Sequence, residues 1–339
     1  MHLSSRSAAF LCATAVAAMA QTVHPIGNIF KPRATPADSV YNISLLMLAV
    51  CAAIFVVVAG LLTFAIIRFR RRNADHGREP AQVYGSTRIE IAWTVLPILI
   101  VVVLSMATAR TVIEVQNKRL PADTLKVTVI GHQWWWEYRY PEFGIVTANE
   151  LHVPVSTVAK PRVTALRLES ADVAHSFWIP QLAGKTDLIP GITNTMWIDP
   201  RQDGIFLGNC AEYCGTQHAN MLLRVVVESP ADFDKWVSAQ KQPAMTDPGL
   251  ERGRATLLSL SCVNCHTVTG TSAAGTFGPD LTHLMSRTTL GSGMIPNTPE
   301  NLRAWMKDPQ QIKKGNLMPN MQLNARELDE VVNYLSSLK

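Results

Sequence analysis

Charge is what this chain has least of. Only 17% of its 339 residues are Asp, Glu, Lys or Arg, against 47% hydrophobic. Two stretches carry no charge at all, VYNISLLMLAVCAAIFVVVAGLLTFAII at 40–67 and IAWTVLPILIVVVLSMATA at 91–109. A membrane helix needs ~20 apolar residues, so both can span, and a wholly soluble chain is excluded. Pro97 lies inside the second run, where membrane helices tolerate it better than soluble ones do. The formal net charge of +5 is mild, and part of the excess sits in one loop, so no nucleic-acid partner is expected. Cysteine is also scarce, at six residues. Cys51 falls mid-span and reads as a packing residue.

The loop between the two runs carries Arg68, Arg70, Arg71, Arg72, Arg78 and Arg88. A basic loop between spans stays in the cytoplasm. The hairpin therefore starts and ends outside, and everything after residue 110 lies in the periplasm or its equivalent. The N-terminus agrees. Arg6, the short apolar run AAFLCATAVAAMA and the small-x-small Ala18-Met19-Ala20 predict a cleaved signal at 1–20, which takes Cys12 with it.

Residues 120–228 lack any long helical period. Runs such as LKVTVIGHQWWWEYRYP, RVTALRLES and LLRVVVES alternate instead, with Pro, Gly and Asp turns between them. This predicts a β-sandwich or small Greek-key barrel. Residues 229–247 read as a short helix and a linker. From about 248 the pattern turns helical, which predicts a small all-α domain. The expected order is a signal at 1–20, a hairpin over 21–118, a β domain over 119–230, a linker over 231–247 and a helical domain over 248–339.

Four cysteines remain outside the membrane, in two pairs. The first pair sits in CAEYCGTQHANM (210–221), which holds Cys210, Cys214, His218 and Met221 in a loop between two strand-like runs. His175 lies upstream, just past a strand end. Two His, one Cys and a weak Met make a blue-copper site. The second Cys allows two thiolates to bridge two coppers, with Met221 serving one ion and a loop carbonyl, that of Glu212, the other. A Cys210–Cys214 disulfide and a zinc site are the competing readings.

These residues resemble the binuclear copper (CuA) motif of cytochrome c oxidase subunit II. The two-span hairpin, GHQWWWEY (131–138) and IPGITN (189–194) resemble the same family in the same order. The resemblance implies a cupredoxin-like domain with ligands His175, Cys210, Glu212 through its carbonyl, Cys214, His218 and Met221. It also implies that Trp134 is a surface tryptophan where electrons enter. It gives the Glu212 side chain a share in a magnesium site with subunit I, and it places Glu90 at the mouth of a proton channel. For Glu90 a solvated helix-cap acid is the plain alternative. Trp135 and Trp136 fit core or interface aromatics.

The second pair is CVNCH (262–266), the C-x-x-C-H motif for covalent haem c. Cys262 and Cys265 add to the vinyl groups and His266 takes one axial position. A thioredoxin-like reading needs a βαβ context, which is absent. Met285, Met294, Met318 and Met321 are candidates for the other axial position. The domain resembles a class I cytochrome c, and that resemblance favours Met318, in an M-P, with Met321 next. His283 is expected beside the haem edge or at the surface.

The whole resembles a subunit II of a bacterial haem–copper terminal oxidase fused to a cytochrome c. The resemblance implies electron transfer from cytochrome c or another donor, through haem c and CuA, to subunit I. Dioxygen is reduced there to water, coupled to proton translocation, with subunit III as a further partner. It also implies the bacterial inner membrane as the location, with both redox domains on the periplasmic side. A CuA and haem c subunit of a nitric oxide reductase is the rival redox reading. A membrane-anchored copper-binding assembly protein is the rival from another class.

Overall fold

The computed structural model describes residues 27–70, 82, 84–116 and 119–339. The expected signal at 1–20 lies outside the described residues, as do Arg71, Arg72 and Arg78 of the basic loop.

The two uncharged runs form helices α1 (Thr35–Arg68) and α2 (Thr87–Gln116). They have 34 and 30 residues, long and apolar enough to cross a membrane. Their apolar side chains point outward, with Phe55, Val56 and Leu61 all well over half exposed, as a lipid-facing pair requires. Both are longer than a bilayer core needs, and the surplus meets the next domain. Thr35 donates from its N–H and hydroxyl to Asp199, at 2.7 and 2.6 Å. Arg201 pairs with Asp38 at 2.6 Å. At the other end Trp197 Nε1 donates to the Val115 carbonyl at 2.6 Å. The start of α1 and the end of α2 thus sit on one side, against the β domain.

That domain is the two-sheet sandwich expected from the alternation. One sheet orders its strands β3 (Ile145–Ala148), β2 (Trp135–Tyr140), β1 (Leu125–His132), β5 (Thr164–Ser170) and β8 (Asn194–Ile198). The other runs β4 (Glu150–Pro154), β10 (Leu222–Glu228), β9 (Gly204–Cys210), β6 (His175–Trp178) and β7 (Thr186–Leu188). Pairing is antiparallel except for β1 with β5 and β4 with β10. Inward residues of both sheets meet in one core, including Val127, Trp136, Tyr138, Leu166, Phe177 and Leu223. Tyr140 ties the sheets together: its hydroxyl donates to the His152 carbonyl and accepts from the His152 N–H, each at 2.9 Å.

Helix α3 (Pro230–Gln240) follows, capped by the Ser229 hydroxyl accepting from Asp232 N–H. Phe233 and Val237 enter the sandwich core, and Trp236 stacks on His152 with ring centroids 4.4 Å apart. This segment therefore belongs to the β domain, although its polar composition reads as the start of a linker. The connection proper begins after Gln240.

The last domain is helical, with α4 (Glu251–Ser259), α5 (Pro299–Lys307), α6 (Pro309–Ile312) and α7 (Ala325–Leu335), and one small hairpin of β11 (Thr289–Leu290) and β12 (Ile295–Pro296). Asn324 and Glu327 form a capping box at the start of α7. Its inward face, Leu328, Val331, Val332 and Leu335, is buried. Each such side chain contributes roughly 1.5–3 kcal/mol.

Helices α4 and α7 cross at Gly253. A Cβ there would lie 2.2 Å from the Glu330 carbonyl oxygen, which is backbone and cannot yield. Gly253→Val is therefore expected to destabilise the helical domain by about 1–3 kcal/mol or more. Calorimetry should show its transition moved down with the sandwich transition unmoved. An unshifted transition would refute the close crossing.

Candidate metal centre and haem cavity

Strands β9 and β10 are joined by residues 211–221, and β6 lies beside β9 with Phe177 opposite Cys210. This brings His175, at the start of β6, against a loop that is distant in sequence. The loop is closed at its base by Cys210 N–H donating to the Met221 carbonyl at 2.9 Å. A 3₁₀ turn over His218–Asn220 then sets His218 and Met221 on the inner side. Gly215 has φ +114°, and a Cβ there would press on the Trp134 ring at 3.0 Å, so this position needs glycine twice over.

The six sequence-expected donors converge. Cys210 Sγ and Cys214 Sγ are 3.7 Å apart, and both are free thiols. His175 Nδ1 lies 3.9 Å from Cys210 Sγ, and His218 Nδ1 lies 3.7 Å from Cys214 Sγ. Met221 Sδ is 3.8 Å from Cys214 Sγ, and the Glu212 carbonyl oxygen is 3.2 Å from Cys210 Sγ. His175, Cys210, Cys214 and Met221 are buried. Two sulfurs shared between two imidazoles, with one thioether and one carbonyl on opposite sides, suit a soft redox metal and fit a copper pair. The Glu212 carboxylate points elsewhere, 3.9 Å from Lys185 Nζ.

The electrostatics match. The hydrogen bond between the two sulfurs holds Cys210 well below the usual thiol range. The same partnership, with burial, pushes Cys214 up. Burial alone would lower His175, but its bond to Asp172 and the Cys210 sulfur outweigh it, and the ring titrates above its usual value. Asp172 Oδ1 accepts from His175 Nε2 at 2.8 Å, which leaves Nδ1 facing the sulfurs. Nothing in the sequence singled out Asp172; the signal was its spacing, three residues before a candidate ligand.

The haem motif lines a cavity of about 290 Å³. Cys262, Cys265 and His266 are on its wall, as are Met318 and Met321. His266 Nδ1 donates to the Pro279 carbonyl at 2.7 Å, which frees Nε2 for iron. Burial holds His266 below the usual imidazole range, in the direction of the neutral ring that a ligand needs. Gly278 allows this packing, since a Cβ would sit 2.6 Å from His266 Cε1. Arg287 is buried on the same wall with its Nε unpartnered. A haem brings two carboxylates and four ring edges to such a wall, so the residues present fit it. Arg287 was not flagged from sequence.

Met285 and Met294 do not line this cavity, which narrows the four candidate methionines to Met318 and Met321. Met318 is fixed at both backbone ends, donating from N–H to Asn316 Oδ1 and accepting at its carbonyl from Gln310 Nε2, each at 2.9 Å. His283 differs from expectation. It is buried, with ring nitrogens 2.8 Å from the Lys339 carbonyl and 3.0 Å from that of Gln242. It pins the chain end to the interdomain connection and is off the cavity.

Trp134 also departs from expectation. It is 8% exposed, not a surface residue. Its Nε1 donates to the Cys214 carbonyl at 2.9 Å, while its ring lines the haem cavity. The physical reason is the helical domain, which sits over it. Trp135 stacks on His132 at 4.2 Å and also borders the cavity. Trp136 is core, fully buried beside His175 and Phe177. Glu90 lies in the first turn of α2, and its Oε1 accepts from the Ser86 N–H at 3.2 Å, a helix-start contact.

Three families of known proteins match successive parts of the chain. Residues 24–110 match the transmembrane domain of cytochrome c oxidase subunit II, residues 125–229 its periplasmic domain, and residues 250–339 cytochrome c. The cytochrome c oxidase subunit 2 of Alkalihalophilus pseudofirmus is 34% identical over 315 residues, 91% of this chain and 90% of that one. The subunit 2 of a Bacillus species, strain PS3, is 34% identical over 335 residues, covering 93% and 92%. That of Bacillus subtilis is 31% identical over the same length and shares.

Asp172 orients a buried donor through a single bond. Asp172→Ala is expected to weaken copper retention by about 10–100-fold, read by competition with a chelator. The sandwich should keep its circular dichroism. Unchanged copper affinity would show that His175 needs no such support.

Proposed function

The chain belongs to the cytochrome c oxidase subunit II family, and from that premise we propose that it is the electron-entry subunit of a haem–copper oxidase, carrying binuclear copper and covalent haem c. Its family membership makes it a component of the oxidase complex and a membrane protein with a periplasmic domain. It also favours oxidase over nitric oxide reductase, and leaves an assembly protein without support. The finer assignments are ours.

His175, Cys210, Cys214, His218, Met221 and the Glu212 carbonyl would hold the coppers. Cys262 and Cys265 would hold haem c, with His266 and Met318 as axial donors. When bound, the two groups supply one-electron carriers of soft ligation, whose geometry changes little with charge. The residues do the rest. The sandwich holds the donor atoms rigidly and dry. Trp134 gives an unbroken covalent and hydrogen-bonded route from the cavity wall to the backbone of a copper ligand. This is the observation that carries the reading. The chain has no oxygen-reducing site in this reading, so subunit I is the required partner, with subunit III beside it. The donor, cytochrome c or another protein, would meet the helical domain. We place the chain in the bacterial inner membrane, with a signal at 1–20, the hairpin over 21–118 and redox domains at 119–230 and 248–339. The remaining expectations are Glu90 at a proton entry and the Glu212 carboxylate on a magnesium shared with subunit I.

The purified complex should contain two coppers and one covalent haem for each copy of this chain, and should consume dioxygen. One copper, zinc in the sulfur site, or uptake of nitric oxide in preference to dioxygen would end the reading.

A thioether stabilises ferrous over ferric iron. Met318→Ala should therefore lower the haem potential and remove the weak sulfur-to-iron band of the oxidised spectrum, while covalent attachment survives. The same result from Met321→Ala, and none from Met318→Ala, would move the ligand three residues on.

A further inference from the structure

Among the described residues, Lys313 and Glu150 are almost wholly buried, each against the other domain, and Lys313 also borders the haem cavity. Lys313, of the helical domain, is 2% exposed. Its ammonium donates to three carbonyl oxygens, of Trp134, Asn220 and Gly291, all at 2.8 Å. Two of those belong to the sandwich domain. An ammonium has three N–H bonds, so none is left over. Glu150, of strand β4, is 1% exposed. Its carboxylate accepts from the N–H and hydroxyl groups of Thr288 and Thr289 in the helical domain, at 2.6–3.2 Å. The exchange is reciprocal: each domain gives one buried charge, and each supplies the polar groups that satisfy the other's.

The lysine lands on two meaningful carbonyls. Trp134 borders the haem cavity, and Asn220 precedes the copper donor Met221. The next residue repeats the grip, with Gln217 of the metal loop donating to the Lys314 carbonyl at 2.6 Å. A further join is a pair of bonds between Leu222 and Ser292, at 3.2 and 3.0 Å.

A cytochrome that swings on a tether must leave its partner repeatedly. Its contacts are then surface charges, wet and screened by salt. These are the opposite. A buried charge separated from its partners loses them all at once, so undocking strands both Lys313 and Glu150. We infer that Lys313 and Glu150 are positioning residues that lock the haem domain permanently onto the copper domain, making the fused cytochrome a fixed relay.

This inference rests on the electron-transfer reading above, and its test separates the two. In the purified complex, haem reduction by a flash-activated donor would be followed by haem-to-copper transfer, over a range of salt and viscosity. For the unaltered chain the internal rate should be flat in both. Lys313→Met keeps length and removes charge. It should leave both optical and paramagnetic signatures intact, lower the rate on the order of tenfold or more, and introduce a dependence on salt and viscosity. A milder variant, Thr288→Val, removes one donor to Glu150 and should act in the same direction if Lys313→Met does not fold. An unaltered chain whose rate falls with viscosity or varies with salt, or variants that keep the rate, would overturn the lock. Absence of the copper or haem signal from the unaltered chain would overturn the underlying reading instead.

Discussion

The carbonyl oxygen of Cys214 accepts two hydrogen bonds, from Trp134 Nε1 at 2.9 Å and from Gln133 Nε2 at 2.7 Å. The donors come from the turn between β1 and β2, in one sheet. The acceptor is in the metal loop, which hangs from the other. This small joint sets where the loop lies relative to the sandwich. It also fixes the indole of Trp134, a residue that borders the haem cavity. It acts beside the bonds that Asn220 and Gln217 of the same loop make with Lys313 and Lys314 of the helical domain. Gly215 shows how closely the joint is fitted, since even a methyl group would collide with the ring.

Much of this was legible from residues alone. The spans were legible because an uncharged run of that length has few other uses. The sandwich was legible because alternation with period two is a direct imprint of strand geometry. The metal loop was legible because four soft donors in twelve positions are rare, and the haem motif because its chemistry fixes its spacing. Other features were not. The short helix at 229–247 was legible, but its place in the β domain was not, because its apolar residues, Phe233, Trp236 and Val237, are few. They are decisive only because His152 and the core lie beneath them. Lys313 and Glu150 look like ordinary surface charges in sequence. Their burial depends on the meeting of two domains, which no local pattern encodes. The position of Trp134 was misjudged for the same reason: a covering domain changes exposure without changing the residue.

The two sites differ in how they are built. The candidate metal donors come from β6 and from one loop between β9 and β10, so a sheet holds both ends of the site. Asp172, the Gln133 and Trp134 bonds to the Cys214 carbonyl and the loop's own hydrogen bonds refine their aim. The haem cavity is walled by irregular segments, held in place by Gly275 and Gly278 close against the attachment motif. The first site thus rests on a sheet, the second on turns and short helices.

The ties between Thr35 and Asp199 and between Trp197 and Val115 have a mechanical meaning. The sandwich stands on two legs, each fastened at the ankle. Helices adapt to a bilayer of unsuitable thickness by tilting. With both ankles fastened, the legs cannot tilt freely beneath the sandwich; they must lean it with them. The tilt of the hairpin and the lean of the sandwich are thus one motion, shared through Asp199 and Trp197.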